Sequence, residues 1–376
     1  MPMKVARNNG IYYLELHGTP FEIGRQHGMA LKPQILDQIA AMKAQLEGVF
    51  GAQNAARIIS WVVNETAFTR DYQQYLPKVY AELTGLAEGA GVPLGDILLI
   101  NMFEEVWEAA PIRLGLPMFG GMNHACTACN VAGNPGWPIL NGQNMDYTPN
   151  LDGSQLVMQR TFVEGDKELI YGFVGQVTGP GMNSRGVSCT INTLPQARKR
   201  EDNGLGSAFL ARAVLETGSV DDALVRLSNL PRFSGGIHSI VDTGKTVIVE
   251  ATPTEVAHVP PVHLRYNVHT NHAFAIQDRI QIPGWFDEHG QPVIGPAGSL
   301  WMTKERQAAA EAFLSAHDGI VSVDDLKRMF TTAPINSTDP ASMTLQSVIF
   351  VHDPDNLVMY ASAGCDPKRG WNEYHF

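Results

Sequence analysis

The sequence predicts an α+β fold of stacked layers, in which sheet packs on sheet and helices lie outside. Helical spacing dominates the first 110 residues, whereas from about residue 128 short strand-like runs alternate with pairs of helices. The change falls in a Gly- and Pro-rich stretch at 111–121, which predicts an irregular loop.

The N-terminal part begins with a strand and continues as helices. A strand is predicted at 11–16 and a long helical region at 21–50, in which Pro33 is expected to kink or restart the helix. Gly24 and Gly28 lie four residues apart, which permits another backbone to approach closely. Further helices are predicted from 77 to about 89 and at 95–108.

Beyond the loop, Gly, Pro, Asn and Asp separate short runs of strand-like residues. The last two runs predict a hairpin that closes across 353–356. Strands are predicted at 128–131, 138–141, 156–163, 168–174, 187–192, 236–242, 246–251, 262–268, 345–351 and 357–362. Helices are predicted at 207–216, 220–227, 302–316, which has a charged face, and 323–330.

Composition limits the class of protein and its partners. The 376 residues carry a formal net charge of −11, which argues against nucleic acid and anionic membranes as partners. No stretch reaches the roughly 18 apolar residues of a membrane span, and the first residues do not resemble a signal peptide. The four cysteines do not suggest a disulfide framework, so we expect a cytoplasmic protein.

The most informative residue is Cys126, which directly follows the predicted loop. If the bond between Ala125 and Cys126 is cut, Cys126 becomes an N-terminal residue with a thiol and a free α-amine. Its own amine can then take the thiol proton, so no histidine is needed. The competing interpretation is a small buried hydrophobic cysteine, which is the commoner state of this residue.

Asp146 follows in the run Gly142-Gln143-Asn144-Met145-Asp146, at the end of the next strand pair. In an antiparallel hairpin, position 126 and positions 144–146 lie side by side. The Asp146 carboxylate would then hold or polarise the new ammonium group, whose unperturbed pKa is about 7.7–8.0.

Three other interpretations stay open. Cys126 and Cys129, together with His269 and His272, would make a zinc-binding structural or regulatory protein, although positions 126 and 129 face opposite sides of a strand. Alternatively, Cys126 acts with His238 or His269 as a conventional cysteine hydrolase without self-cleavage. A non-catalytic member of the fold would only bind amides.

Asn192 and Asn271 are candidate oxyanion donors, because each ends a predicted strand and an asparagine amide can stabilise developing negative charge. Both can equally begin turns, so position alone does not decide. His124 either assists the cut or is a solvated loop residue. Arg25 and His27 predict a polar helix face with a structural or processing role.

Four short motifs resemble, in their order, the autoproteolytic acyltransferase family typified by isopenicillin-N acyltransferase, within the N-terminal nucleophile hydrolases. They are spread over most of the chain, from about residue 11 to 365. The motifs are Gly18 to Gly28, with Gly24 and His27; Cys126-Thr127 with Gly142 to Asp146; Gly181 to Val187 with Ile191-Asn192; and His269-Thr270-Asn271-His272.

The resemblance implies roles for individual residues. Cys126 matches the nucleophile that is released when the chain cuts itself after Ala125. Asp146 matches the aspartate that supports the amine, Asn271 matches the oxyanion asparagine, and Asn192 matches a further site position.

The sequence departs from the family at three positions. Ala125 stands where glycine is frequent, Ala128 stands where a hydroxyl is frequent, and Gln143 stands where bile-salt and penicillin-V hydrolases carry arginine. In addition, the closing strand predicted at 345–351 has no arginine, although some relatives place one there; Gln346 is the nearest polar residue. These departures leave the nucleophile in place and put the substrate in doubt.

The resemblance also implies a fold, a domain division and an activity. The fold is a four-layer αββα sandwich, with residues 1–125 as a mostly helical pro-segment or small subunit that stays bound to the catalytic subunit 126–376. The activity is that of a self-processing amidohydrolase or acyltransferase of linear amides, such as N-acyl amino acids, peptides or β-lactam side-chain amides. The expected partners are a small-molecule amide substrate and either an acyl-CoA or an acceptor amine, and no metal or organic cofactor is required.

Overall fold

The computed structural model describes residues 5–103, 105–116, 125–133, 136–195, 197–200, 202–279, 302–317, 320–340 and 342–376. None of the helices in these ranges combines the length and the apolar character that crossing a bilayer requires. His124 and residues 117–121 of the predicted Gly- and Pro-rich loop lie outside the described residues. The loop prediction is wrong for residues 111–114, which belong to a short helix.

The described helices fall into an N-terminal group and two later pairs. The first group is α1 (Pro20–Ala30), α2 (Lys32–Phe50), α3 (Ala52–Ser60), α4 (Phe68–Tyr75), α5 (Pro77–Ala90), α6 (Leu94–Asn101) and α7 (Ala110–Leu114). The pairs are α8 (Ser207–Leu215) with α9 (Val220–Asn229), and α10 (Thr303–Ser315) with α11 (Val323–Phe330).

Two predictions about these helices have opposite outcomes. The restart at Pro33 is confirmed, since α1 ends at Ala30 and Pro33 lies in the first turn of α2. The single helix predicted at 95–108 is wrong. The backbone leaves helical geometry at Met102 (φ −97°, ψ 55°), and a separate π-helical turn, Glu105–Ala109, follows.

The described strands form two antiparallel-rich sheets. The nine-stranded sheet has the order β1 (Ala6–Asn8), β2 (Ile11–Gly18), β5 (Gln155–Phe162), β6 (Lys167–Phe173), β7 (Gly181–Asn183), β8 (Ser188–Thr193), β9 (Gly236–Val241), β10 (Thr246–Ala251), β11 (Val256–His258). The seven-stranded sheet has the order β12 (Tyr266–His269), β3 (Ala125–Val131), β4 (Ile139–Tyr147), β14 (Ser342–Asp353), β15 (Asn356–Ala363), β16 (Asn372–His375), with β13 (Thr338–Asp339) paired to β14.

Most predicted strands are present, and the closing hairpin is confirmed by the register between β14 and β15. The strand predicted at 262–268 is wrong in its first half, where the chain bends at 262–265 after Pro260 and Pro261. Five short strands were not predicted: β1, β7, β11, β13 and β16. With two to four residues each, they are too short to show a period of two in the sequence.

Three apolar clusters define the order of the layers. Val157 and Tyr171 of the nine-stranded sheet pack against Val348 and Phe350 of the seven-stranded sheet. The other face of the nine-stranded sheet packs against α1 to α9, and the other face of the seven-stranded sheet packs against α10 and α11. The predicted four-layer αββα sandwich is therefore confirmed.

The first and fifth helices pack with their backbones almost in contact. A Cβ atom at Gly24 would lie 1.9 Å from the carbonyl oxygen of Glu82, and one at Gly28 would lie 2.4 Å from that of Leu86. Gly85 of α5 faces the carbonyl oxygen of Phe21 in the same way, at 1.9 Å. The predicted close approach at Gly24 and Gly28 is confirmed.

Four buried charged residues connect α5 to the nine-stranded sheet and α8. Glu82 forms an ion pair with Arg160 at 2.8 Å and accepts a hydrogen bond from Arg212 at 3.0 Å, and both arginines also lie 3.4 Å from Glu168. Each arginine in addition donates to the carbonyl oxygen of Val177. This ionic quartet therefore joins the helical N-terminal segment to the loop after β6.

Candidate active site

The hairpin of β3 and β4 brings the two principal predicted residues together. Ala125 pairs with Asp146 and Cys126 pairs with Met145 across the antiparallel ladder. The predicted proximity of position 126 to positions 144–146 is confirmed. The predicted strand at 128–131 is longer than expected, because β3 begins at Ala125 and Cys126 lies within it.

Cys126 borders a cavity of about 90 Å³ between the sheets, although only 4% of the residue is exposed. Burial, and next the negative charge of Asp146, raise the pKa of the thiol to about 12. The charge of Arg306 and backbone hydrogen bonds from Thr193 and Asp146 lower this pKa in part. The thiol of the uncut chain is therefore protonated near neutral pH and needs a proton acceptor to react.

Asp146 is fully buried, and only one of its two carboxylate oxygens accepts a hydrogen bond from the described residues. Thr344 donates its hydroxyl hydrogen to Oδ1 at 2.5 Å, whereas Oδ2 has no hydrogen-bond partner among the described residues. Burial raises the pKa of this carboxyl group to about 7, against the opposing effects of Arg306 and Thr344. A carboxyl group with this pKa can accept a proton at neutral pH.

Asn271 contacts the nitrogen atom that a cut before Cys126 would release. The main-chain N–H of Cys126 donates to Oδ1 of Asn271 at 2.9 Å, and Nη2 of Arg306 donates to the same oxygen at 2.8 Å. Nδ2 of Asn271 donates to the carbonyl oxygen of Thr193 at 3.1 Å. The predicted site residue thus contacts Cys126, with its side-chain oxygen rather than its nitrogen directed to that residue.

Arg306 of α10 is a site residue that sequence reasoning missed. Its side chain is fully buried and donates hydrogen bonds to the carbonyl oxygen of Cys126 and to Oγ1 of Thr127 (2.9 Å). Its positive charge offsets the negative charge of the Asp146 carboxylate. The sequence spacing does indicate that Arg306 faces the interior, because it lies on the same helix face as the buried residues Ala310 and Leu314.

Asn192 braces the turn that carries Asn271. Its Nδ2 donates to the carbonyl oxygens of His269 (2.7 Å) and Thr270 (2.8 Å), while its Oδ1 accepts a hydrogen bond from Gln143 at 2.8 Å. Both hydrogens of the Asn192 amide are therefore engaged. Gln143, which stands where bile-salt and penicillin-V hydrolases carry arginine, also accepts a hydrogen bond at Oε1 from the N–H of Ile191.

The candidate histidines make contacts away from Cys126. His269 lies 2.8 Å from a buried carboxylate oxygen of Glu250, and His238 lies 3.2 Å from the carbonyl oxygen of Ser207. In the described part of the chain, no hydrogen bond joins either ring to Cys126. His27 accepts the backbone N–H of Gly175 at 3.2 Å, which agrees with a structural role.

The residues of the zinc hypothesis do not converge. Cys129 packs in the apolar cluster under α10 and α11, whereas Cys126 borders the cavity between the sheets. His272 lies 3.0 Å from the hydroxyl oxygen of Thr303. Within the described ranges, no group of three or more His, Cys, Asp or Glu residues is arranged to hold a metal ion.

Comparison with known proteins agrees with the motifs. Residues 134–311 match the family model of acyl-coenzyme A:6-aminopenicillanic acid acyl-transferase. The acyl-coenzyme A:6-aminopenicillanic-acid-acyltransferase 40 kDa form of Emericella nidulans is 25% identical over 292 residues, which is 74% of this chain and 75% of that protein. The family resemblance predicted from the sequence is confirmed.

Two further relatives are matched over a smaller part of their length. An uncharacterised protein of Archaeoglobus fulgidus is 23% identical over 225 residues, which is 55% of this chain and 37% of that protein. Protein dcd1B of Dictyostelium discoideum is 26% identical over 258 residues, which is 60% of this chain and 47% of that protein. The chain therefore spans less than half the length of these two relatives.

Among solved structures, the conjugated bile acid hydrolase from Clostridium perfringens aligns with a TM-score of 0.43 and 15% identity, over 67% of this chain and 97% of that one. Penicillin V acylase from Agrobacterium tumefaciens aligns with a TM-score of 0.42 and 14% identity, over 67% of this chain and 86% of that one.

Proposed function

We propose that this chain is a self-processing N-terminal cysteine amidohydrolase or acyltransferase of linear amides. One observation supports this proposal above all others. The main-chain nitrogen of Cys126 is held by Asn271 at 2.9 Å, while the thiol of the same residue borders a cavity and the Asp146 carboxylate lies beside it. Amine, thiol and supporting carboxylate are the groups that an N-terminal nucleophile requires.

The first reaction is the cut itself. Asp146 takes the thiol proton, and the sulfur of Cys126 attacks the carbonyl carbon of Ala125. The C–N bond breaks as the nitrogen gains a proton, which leaves a thioester between Ala125 and the Cys126 sulfur. Water then hydrolyses the thioester, freeing the carboxylate of Ala125 and the α-amine of Cys126.

Turnover of substrate repeats this chemistry on an external amide. The free α-amine accepts the thiol proton, the thiolate attacks the substrate carbonyl, and the ammonium group returns the proton to the departing amine. The acyl group then leaves the sulfur to water or to an acceptor amine. Asp146 stabilises the ammonium. The proposed oxyanion donors are the backbone N–H of Thr193, which lies beside the Cys126 sulfur, and Nδ2 of Asn271, which donates to the carbonyl oxygen of Thr193 in the uncut chain.

The two products of the cut are expected to remain together. Strand β2 lies inside the nine-stranded sheet next to β5, and Glu82 of the N-terminal segment is ion-paired with Arg160 and Arg212. Separating the pieces would expose unpaired backbone groups and leave both arginines without Glu82.

Intact-mass measurement of purified protein tests the proposal. We expect two polypeptides, one ending at Ala125 and one beginning at Cys126, and turnover of at least one N-acyl amino acid or peptide in a substrate screen. Cys126→Ala should abolish both the cut and turnover, whereas Cys365→Ser, which changes a partly exposed cysteine elsewhere, should alter neither. An active wild-type protein that stays a single chain would refute the mechanism.

A further inference from the structure

Two cavities share part of their walls, and Cys126 borders one of them. The first, called the inner cavity here, has a volume of about 90 Å³ and is bordered by Cys126. The second, the outer cavity, has a volume of about 30 Å³ and lies against Met42 of α2. Phe103, Leu151 and Gln176 line both cavities. These three side chains, called the partition below, therefore lie between the two spaces.

The walls of both cavities are uncharged. Among the described residues that line them, there is no Asp, Glu, Lys, Arg or His. Two amides in the inner wall are bonded to backbone oxygens, Asn101 to Gly175 at 2.8 Å and Gln346 to Gly172 at 2.7 Å. These amides do not need a polar ligand, and a charged ligand group would be buried there without a partner, which is costly.

We propose that the inner and outer cavities form one channel for an uncharged, extended acyl group, and that the partition limits the acyl length that Cys126 accepts. This inference rests on the proposed function, because it assigns the acyl part of that reaction's substrate. The channel leads from the sulfur of Cys126, past the partition, to the surface of α2 beside Met42.

The small volume of the inner cavity means that the partition limits the length of the acyl group that can bind. A cavity of about 150 Å³ is known to hold a benzene ring. The inner cavity is smaller than this, so it admits only a short acyl group while the partition stays closed. A longer chain must displace partition side chains and continue into the outer cavity.

The side chains of the partition can move because they are only partly buried. The backbone next to Gln176, in contrast, is held by hydrogen bonds. The N–H of Gly175 donates to His27 at 3.2 Å, and the N–H of Val177 donates to Asn101 at 2.9 Å. The Gln176 side chain itself is held by one long hydrogen bond, to the carbonyl oxygen of Ile100 at 3.3 Å. Leu151 lies in a short surface turn after β4.

Leu151→Ala tests the channel with a series of straight-chain N-acyl derivatives of one amine, from acetyl to dodecanoyl. Each additional methylene that becomes buried is worth about 0.8 kcal/mol, or roughly fourfold in kcat/KM. We expect the ratio of kcat/KM for long and acetyl substrates to rise by this factor for each methylene newly accommodated. Met42→Phe, which fills the outer cavity, should move the optimum to shorter chains.

Leu264→Ala is the matched control, because Leu264 is 94% exposed on a distant loop. An unchanged length profile in both Leu151→Ala and Met42→Phe, with turnover intact, would overturn the channel and leave the proposed function standing. Absence of turnover by fully cut wild-type protein over the whole series would instead refute the proposed function.

A second measurement does not depend on turnover. Primary alkyl amides of the same lengths should raise the Tm of the uncut Cys126→Ala protein, with a larger shift for long amides in the Leu151→Ala background. The channel is refuted if amides of no length shift the Tm, or if the shift is the same for all lengths in both backgrounds.

Discussion

Thr344 donates its hydroxyl hydrogen to Oδ1 of Asp146 at 2.5 Å, on the side of the carboxylate away from its unoccupied oxygen. Thr344 and Asp146 are paired across β14 and β4, so the ladder itself fixes this contact. One oxygen is thus held in place, and the other remains available to a proton or to a new ammonium group.

The rate of self-cleavage should rise with pH through about 7. In the proposed mechanism the cut requires Asp146 in its deprotonated form, and burial raises the pKa of this group to about 7. Asp146→Asn should slow the cut at least about 100-fold, the lower range for loss of a general base. Intact-mass time courses between pH 5.5 and 8.5 measure both effects. Asp324→Asn, at an exposed position of α11, is the control. A flat pH profile in the wild type would contradict the role of Asp146.

Thr344→Val should move the midpoint of this pH profile upward. The hydrogen bond from Thr344 stabilises the charged carboxylate and lowers its pKa, so its loss raises the pKa of Asp146. The same time courses measure the shift, and Thr161→Val on β5 is the control for a threonine-to-valine change in a strand. A midpoint that stays in place would show that Thr344 does not tune the carboxyl group.

Arg306→Met should slow the cut and also raise its pH midpoint, because the Arg306 charge lowers the pKa of both Cys126 and Asp146. Arg306→Lys keeps the charge but loses the planar group that contacts Cys126, Thr127 and Asn271 together. We therefore expect the lysine variant to keep the wild-type midpoint at a reduced rate. Equal midpoints in both variants would argue against an electrostatic role. Arg328→Met, exposed on α11, is the control.

Asn271→Ala and Asn192→Ala should have different effects on kcat and on the free energy of unfolding. Asn271 is the proposed oxyanion donor, so its loss should lower kcat by about 10²–10³. Its loss should also lower the free energy of unfolding, because its buried Oδ1 accepts hydrogen bonds from Cys126 and Arg306. Asn192 holds two buried carbonyl groups, so its loss should lower the free energy of unfolding by about 1–3 kcal/mol. Kinetics and urea denaturation separate the two. The same pattern of loss in both variants would refute this division of roles.

Glu82→Gln should destabilise the protein by about 3–5 kcal/mol, because Arg160 and Arg212 then stay buried with only Glu168 to balance them. Urea denaturation in the uncut Cys126→Ala background measures this without interference from the cut. Glu164→Gln, at a site that is 55% exposed, is expected to change the free energy of unfolding little. A Glu82→Gln variant as stable as its parent would show that the quartet contributes no net stability.

Sequence reasoning was most successful where the determinants are local. The register of a hairpin follows from strand length and turn position, so the proximity of Cys126 and Asp146 was predictable. The close packing of α1 on α5 was likewise visible in the spacing of Gly24 and Gly28. The boundaries of β3 were less predictable, because residues 125–127 have no alternating pattern and all seven residues of the strand are buried.

Contacts between distant segments were not predictable in the same way. Arg306 lies 180 positions after Cys126, on a helix whose many charged residues suggested a solvent-exposed face. Thr344 and Thr193 are ordinary strand residues in the sequence; the pairing of β14 with β4 brings Thr344 to Asp146, and the stacking of the two sheets brings Thr193 to Cys126. Spacing can place Arg306 on the buried face of α10, but it does not reveal which distant residues these three side chains contact.

Strand β2 runs parallel to β5 from the pair Tyr12 and Leu156 to the pair Gly18 and Phe162. In a recombinant polypeptide that starts at Cys126, β5 would therefore be an unpaired edge strand of the larger sheet. Such an edge favours strand addition between molecules and hence aggregation. If the proposed cut occurs, the two pieces should therefore be produced by expressing the uncut chain, so that both sheets are complete before the bond at Cys126 is broken.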